Sequence, residues 1–186
     1  MPFRFRKVVT KLAVADWLRS KTCIYAGLIK SNGIEACEHS NIRKNRSIIF
    51  AVAVTVGLML LTDDGELSHR ILSPARHVDK TYRYTSAKPL DDEAAVRLQN
   101  GVYIEGGYLT APCLVKRESD FTGLITIHEG KYHQIKQMFG AVGNEITALE
   151  RISFGPLALD PALGRGQVRY LTSDEVAALR TASGLE

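Results

Sequence analysis

The run Gly130-Lys131-Tyr132-His133-Gln134-Ile135-Lys136-Gln137-Met138-Phe139 puts a turn glycine, an aromatic ring, a His-Gln pair and a cation where the chain enters a helix. Ile135, Met138, Phe139 and Val142 recur at helical spacing and predict its buried face. His133 and Lys136 then fall one turn apart on another side, where they can meet a ligand. An ammonium group placed there offers charge-assisted hydrogen bonds to an anion. Upstream, Lys80-Thr81-Tyr82 sets a cation and an aromatic on a predicted strand; downstream, Arg151 follows Leu149 by two. Each residue also has a purely structural reading. Tyr82 fits a strand core, Lys136 a solvated helix cation, His133 a turn, and Arg151 an ion pair with Glu129 or Glu150. Asp63 and Asp64 read as helix-capping acids. The five histidines lack metal-ligand spacing and there is no glycine-rich phosphate loop, so neither a metal nor a cofactor is expected.

The elements that would position these groups are regularly punctuated from Ile48 onward. Ile48–Val54 is predicted as a buried, β-branched strand, and Leu58–Leu61 as a second short apolar run. Thr62-Asp63-Asp64-Gly65 caps a helix over Glu66–Leu72, which Ser73-Pro74 ends. Lys80–Ala87 is a strand with Tyr82 and Tyr84 on one face. Leu90-Asp91-Asp92 opens a helix to Gln99, closed by Asn100-Gly101. A hairpin around Gly106-Gly107 spans Tyr103 to Val115, and Leu124–His128 is the strand that delivers the Gly130 turn. The helix carrying Lys136 stops at Gly143-Asn144, Ile146–Phe154 is another strand, and Thr172-x-x-Glu175 boxes a last helix over Ser173–Thr181. Ahead of all this, residues 1–46 show weak periodicity, with a helix predicted over Lys7–Arg19 and a turn at Ser31-Asn32-Gly33. The alternation predicts an α+β domain over residues 48–182, with a basic N-terminal segment over residues 1–47.

At 186 residues, 45% hydrophobic and 24% charged, the chain has an ordinary globular composition. Cys23, Cys37 and Cys113 are odd in number and without Cys-x-x-Cys spacing, which argues against a disulfide framework and fits a reducing cytoplasm. The apolar run Ile48–Leu61 holds 14 residues. A membrane span needs about 20, so no membrane association is expected. The net charge of +4 is unevenly spread: residues 1–50 hold 10 Lys and Arg against 3 Asp and Glu, a net +7, and the rest hold 14 against 17, a net −3. The basic segment reads equally as a contact for RNA phosphates or as a solvated arm.

Taken in order, these motifs resemble the RsuA group of pseudouridine synthases, which isomerise uridine in ribosomal RNA. The resemblance runs from about residue 55 to 180. It is carried by Thr62-Asp63-Asp64-Gly65-Glu66-Leu67-Ser68-His69-Arg70-Ile71-Leu72-Ser73-Pro74, Lys80-Thr81-Tyr82, the Gly130–Phe139 run, Ala141-Val142-Gly143-Asn144-Glu145-Ile146, Leu149-x-Arg151, Ser153-Phe154-Gly155-Pro156-Leu157 and Arg169-x-Leu171. It implies a central mixed, mostly antiparallel sheet flanked by helices, and an N-terminus that is atypical or truncated, since no S4-type RNA-binding module is recognised there. It implies no cofactor, because the reaction breaks and remakes a glycosidic bond without redox change. It implies that Tyr82 stacks on the target base, that Lys136 holds a catalytic carboxylate ionised, and that Lys80, His133, Gln134 and Arg151 serve the RNA site, His133 and Gln134 by ordering the turn. The family pattern Gly-Arg-Leu-Asp-x-Asp-Thr-x-Gly-Leu-x-Leu-Leu-Thr, anchored on Thr55, Gly57, Leu58, Leu60, Leu61 and Thr62, places the catalytic Asp at Val52. No Asp or Glu occurs between Glu38 and Asp63, so no slip of one residue restores it. The expectation is a monomeric, cytoplasmic synthase for small-subunit 16S RNA in its precursor particle, missing its carboxylate. The alternative is a non-catalytic RNA-binding remnant or a fragment of a disrupted synthase gene. With Val52 in place of the carboxylate, Lys136 is expected to be an unpaired cation near an apolar wall.

Overall fold

The structure, a computed structural model, describes residues 8–10, 56–60, 62, 64–163 and 167–185. The expected strand over Ile48–Val54, the Val52 position and nearly all of the basic segment lie outside the described residues. Strand β1 (Val8–Thr10) falls where a helix is predicted over Lys7–Arg19. Two valines and a threonine favour extended backbone, and β2 (Val56–Leu60) and β10 (Gln167–Arg169) give it antiparallel ladders on both sides.

The caps written into the sequence form as predicted. Helix α1 (Gly65–Leu72) begins where the Asp64 side chain accepts from Leu67 N at 2.9 Å, and it ends at Ser73, ahead of a 3-10 turn over Pro74–Arg76. Strand β3 (Lys80–Ser86) alternates in burial, with Lys80, Tyr82, Tyr84 and Ser86 buried. Asp91 caps α2 (Asp92–Asn100). The hairpin is smaller than Tyr103–Val115: β4 (Tyr103–Ile104) and β5 (Tyr108–Leu109) pair across a turn in which Gly106 and Gly107 have φ of 80° and 72°. Val115 belongs instead to β6 (Leu114–Arg117), which pairs with β7 (Thr122–Ile127). Then come α3 (Gln134–Ala141), β8 (Ile146–Phe154), the short β9 (Leu157–Ala158) and α4 (Ser173–Ser183), whose Thr172–Glu175 capping box is complete.

The main sheet runs β10-β1-β2-β8-β3-β7-β6, with β9 added to β8. Its pairs are antiparallel except β2–β8, which is parallel. Helices complete an α+β fold with a mixed, mostly antiparallel sheet. Among the described residues one core cluster packs α2 and α3 against Tyr82, Tyr84, Ile125, Ile127 and Leu149. Another packs α1 and α4 against Leu58, Val78, Phe154 and Leu157. Each fully buried side chain of this kind contributes about 1.5–3 kcal/mol. The two clusters hold β3 and β8 rigidly enough to present a site.

Candidate active site

Three strands converge on Arg151. Tyr82 of β3 is its register partner on one side, and Gly57 of β2 is its partner on the other. Gly57 has φ +108°, and a Cβ there would sit 2.3 Å from the Arg151 carbonyl oxygen. Only glycine allows β2 to lie this close, which explains why the Gly57 anchor matters. The Arg151 guanidinium Nε donates to the Leu58 carbonyl at 2.7 Å, and Cζ stands 5.4 Å from the Phe154 ring centroid. Glu129, one of the expected ion-pair partners of Arg151, is occupied elsewhere by neutral donors, described below.

Lys80 approaches the same ring, its Nζ 5.4 Å from the centroid. It is only 4% exposed, and it donates to the Val78 and His128 carbonyls, both at 3.0 Å. Burial lowers its pKa, the nearby Arg151 charge lowers it further, and Asp79 and Glu129 partly offset both. Lys80 was expected to contact RNA; strand alternation instead turns it inward with Tyr82 and Tyr84. Tyr82 is 9% exposed and belongs to the core cluster, so its ring is held by packing on most sides. Half-buried Arg151 is left as the group of this trio best able to meet an incoming anion.

The entry to α3 is organised around a carboxylate that the sequence did not single out as a site residue. Glu129 is 3% exposed; it accepts from Tyr108 Oη at 2.6 Å, from Ala111 N at 2.9 Å and from Gln134 Nε2. Three donors satisfy a buried anion, which would otherwise be very costly. The bond to Glu129 also raises the Tyr108 phenol pKa. Gln134 is buried and uses its other end to accept from Lys131 N at 3.0 Å, so it orders the turn rather than facing solvent. His133 adopts left-handed backbone at φ 49° as the residue before α3 and packs edge-on against Tyr132. Ile135, Met138 and Phe139 are buried as predicted, and Lys136 is exposed. Among the described residues Lys136 has no ion-pair partner. Expected beside an apolar wall, it stands in solvent, and the desolvated ammonium of the site is Lys80.

Little in the sequence around Glu129 marked it as the node of this turn. The available signal was a lone acid at a strand end, five residues before a glutamine at a helix start. Among the described residues there is no His, Cys, Asp or Glu cluster suited to a metal, and no helix long and apolar enough to cross a membrane.

A family profile described as RNA pseudouridylate synthase matches residues 53–141. Over 126 residues the chain is 48% identical to the uncharacterized RNA pseudouridine synthase YtzG of Bacillus subtilis, a span covering 66% of this chain and 53% of that protein. It is 44% identical over 126 residues to ribosomal small subunit pseudouridine synthase A of Vibrio cholerae, covering 67% of this chain and 54% of that protein. A crystal structure of a pseudouridylate synthase aligns with a TM-score of 0.65 at 41% identity, over 67% of this chain and 55% of that one. The chain belongs to the RsuA-like family of pseudouridine synthases through its C-terminal, catalytic-domain portion. It spans about half the length of the curated relatives it matches.

Proposed function

We propose that this chain is an RNA pseudouridine synthase domain built to hold a uridine of small-subunit ribosomal RNA, and that Val52 leaves it without the carboxylate the isomerisation needs. The observation that carries the reading is the junction of Tyr82, Arg151 and Gly57 across three strands, in a segment 44% identical to a small-subunit synthase. Residues 48–182 are the catalytic domain and residues 1–47 a basic segment. The protein works as a cytoplasmic monomer on the precursor particle, with no cofactor. In this reading Tyr82 stacks on the target base. Arg151 steadies the pocket or a phosphate. Gln134 sets the turn ahead of Lys136.

The test is tritium release from [5-³H]uridine-labelled small-subunit RNA, with the natural chain and Val52→Asp side by side. Silence from the natural chain and turnover by Val52→Asp is the expected result. Losing a catalytic nucleophile removes orders of magnitude in rate. Turnover by the natural chain would show that another group replaces the carboxylate. Silence from both, with RNA still bound, would favour the second reading, a non-catalytic RNA-binding remnant. Solvated Lys136, lacking an ion-pair partner among the described residues, is what speaks for that reading.

A further inference from the structure

Exposed aromatic rings and cations lie close together in the chain at the entry to α3, and Lys131 there reaches the ring of Tyr108 in β5. Tyr132 is 71% exposed and Tyr108 38%. The Tyr132 ring meets His133 at a centroid distance of 3.9 Å and an interplanar angle of 89°. Lys131 Nζ lies 4.2 Å from the Tyr108 ring centroid, and exposed Lys136 follows within the first turn of the helix. A single exposed tyrosine is unremarkable on a protein surface. Adjoining rings interleaved with ammonium groups are the composition that single-stranded nucleic acid selects.

The surface is also held firmly. Gln137 Nε2 donates to the Tyr132 carbonyl at 2.8 Å, while its Oε1 accepts from Glu105 N at 3.0 Å, tying the β4–β5 turn to α3. Glu129 ties Tyr108 to Gln134 from beneath. The rings therefore stand on a braced backbone, which limits the ordering cost of binding. Glu105 is exposed in the hairpin turn and faces solvent as an acid, but Glu129 is turned inward, so Lys131 and Lys136 leave the surface cationic.

We propose that Tyr132, with Lys131 and Lys136 beside it, is a stacking platform for an unpaired nucleotide flanking the target uridine, the ammonium groups taking its phosphates. This rests on the RNA-binding reading above and adds a subsite outside the Tyr82–Arg151 junction. Bases within a duplex are already stacked and cannot lie on the ring, so the ligand is a loop or single-stranded nucleotide. The neighbouring Tyr108 is less available, its hydroxyl being committed to Glu129.

The experiment is fluorescence anisotropy with the full chain, at several salt concentrations, on an RNA hairpin with a uridine-rich loop and on a fully paired RNA of equal length. Tyr132→Ala should weaken loop binding by about ten-fold without changing its salt dependence, whereas Tyr132→Phe should bind within about two-fold of the natural chain. Lys131→Ala should lower the slope of log Kd against log salt by about one. Loop binding by Tyr132→Ala equal to the natural chain overturns the platform alone. So does an equal loss in Tyr132→Phe, or an equal loss on paired RNA. Absence of any RNA binding by the natural chain overturns both the platform and the function it rests on.

Discussion

Gly57 and Arg151 lie side by side in the parallel β2–β8 pair so closely that a methyl group on Gly57 would overlap the Arg151 backbone, 2.3 Å from its oxygen and 2.7 Å from its nitrogen. Backbone atoms cannot step aside as a flexible side chain can, and φ +108° is strained for any L-residue. Gly57→Ala should therefore cost about 2–4 kcal/mol in urea unfolding. A change under about 0.5 kcal/mol would mean that β2 is not seated against β8 in this way.

Lys80 should make stability depend on pH in the alkaline direction. Its folded pKa lies below the ordinary 10.5, so between the two values the unfolded chain binds more protons and stability rises with pH. Below the folded pKa the full cost of burying the charge is present. The stability of the natural chain relative to Lys80→Met should thus improve from neutral pH toward the ordinary lysine range. A flat or falling difference would show that the ammonium is not desolvated.

The acid limb should report Glu175. Arg169 Nη1 and Nη2 bond both of its oxygens, at 2.7 and 2.6 Å, and the Arg169 bonds, with help from Thr172, hold its carboxyl down at about 2. The contribution is complete above the ordinary 4.5 and disappears as pH falls toward about 2. Partial exposure screens the pair, so about 1–2 kcal/mol is expected. Glu175→Gln should flatten urea-unfolding midpoints over that window, and a variant as acid-sensitive as the natural chain would rule the pair out as the cause.

Glu129→Ala should loosen two elements at once. The change strips partners from the Tyr108 hydroxyl, the Ala111 amide and the Gln134 side chain, at a cost of about 3–5 kcal/mol. Amide exchange should quicken together in Tyr103–Leu109 and at the start of α3, while α4 keeps its protection. Faster exchange in α3 alone would show that the hairpin has other anchors.

From Leu58 to Ser183 most elements were legible because their signals are local. Asp64, Asp91 and Thr172 each cap a helix by a bond to a backbone N–H three residues on, and alternation in β3 shows directly which residues turn inward. The site was less so. Lys80 shares the inward alternation of Tyr82 and Tyr84, but how near its ammonium comes to Phe154, which Arg151 also approaches, depends on how β3 and β8 pack, which no short window contains. Glu129 was hidden for the same reason, since its donors come from residues 108, 111 and 134. The β1 strand looked helical because apolar residues between Lys7 and Arg19 can be fitted to a helical period, whereas its ladder partners lie about 50 and 160 residues away.

The Arg151 to Leu58 bond spans 93 residues of chain, while β3 meets β7 across a separation of about 40. A chain emerging from the ribosome can zip β3 to β7 early, but β2 has no parallel neighbour until β8 has been made. The seam between β2 and β8 therefore closes late in synthesis. Arg151 pairs with Gly57 across that seam and with Tyr82 of β3 on its other side, so the three-strand junction waits for all of the chain between residues 57 and 151 to be made.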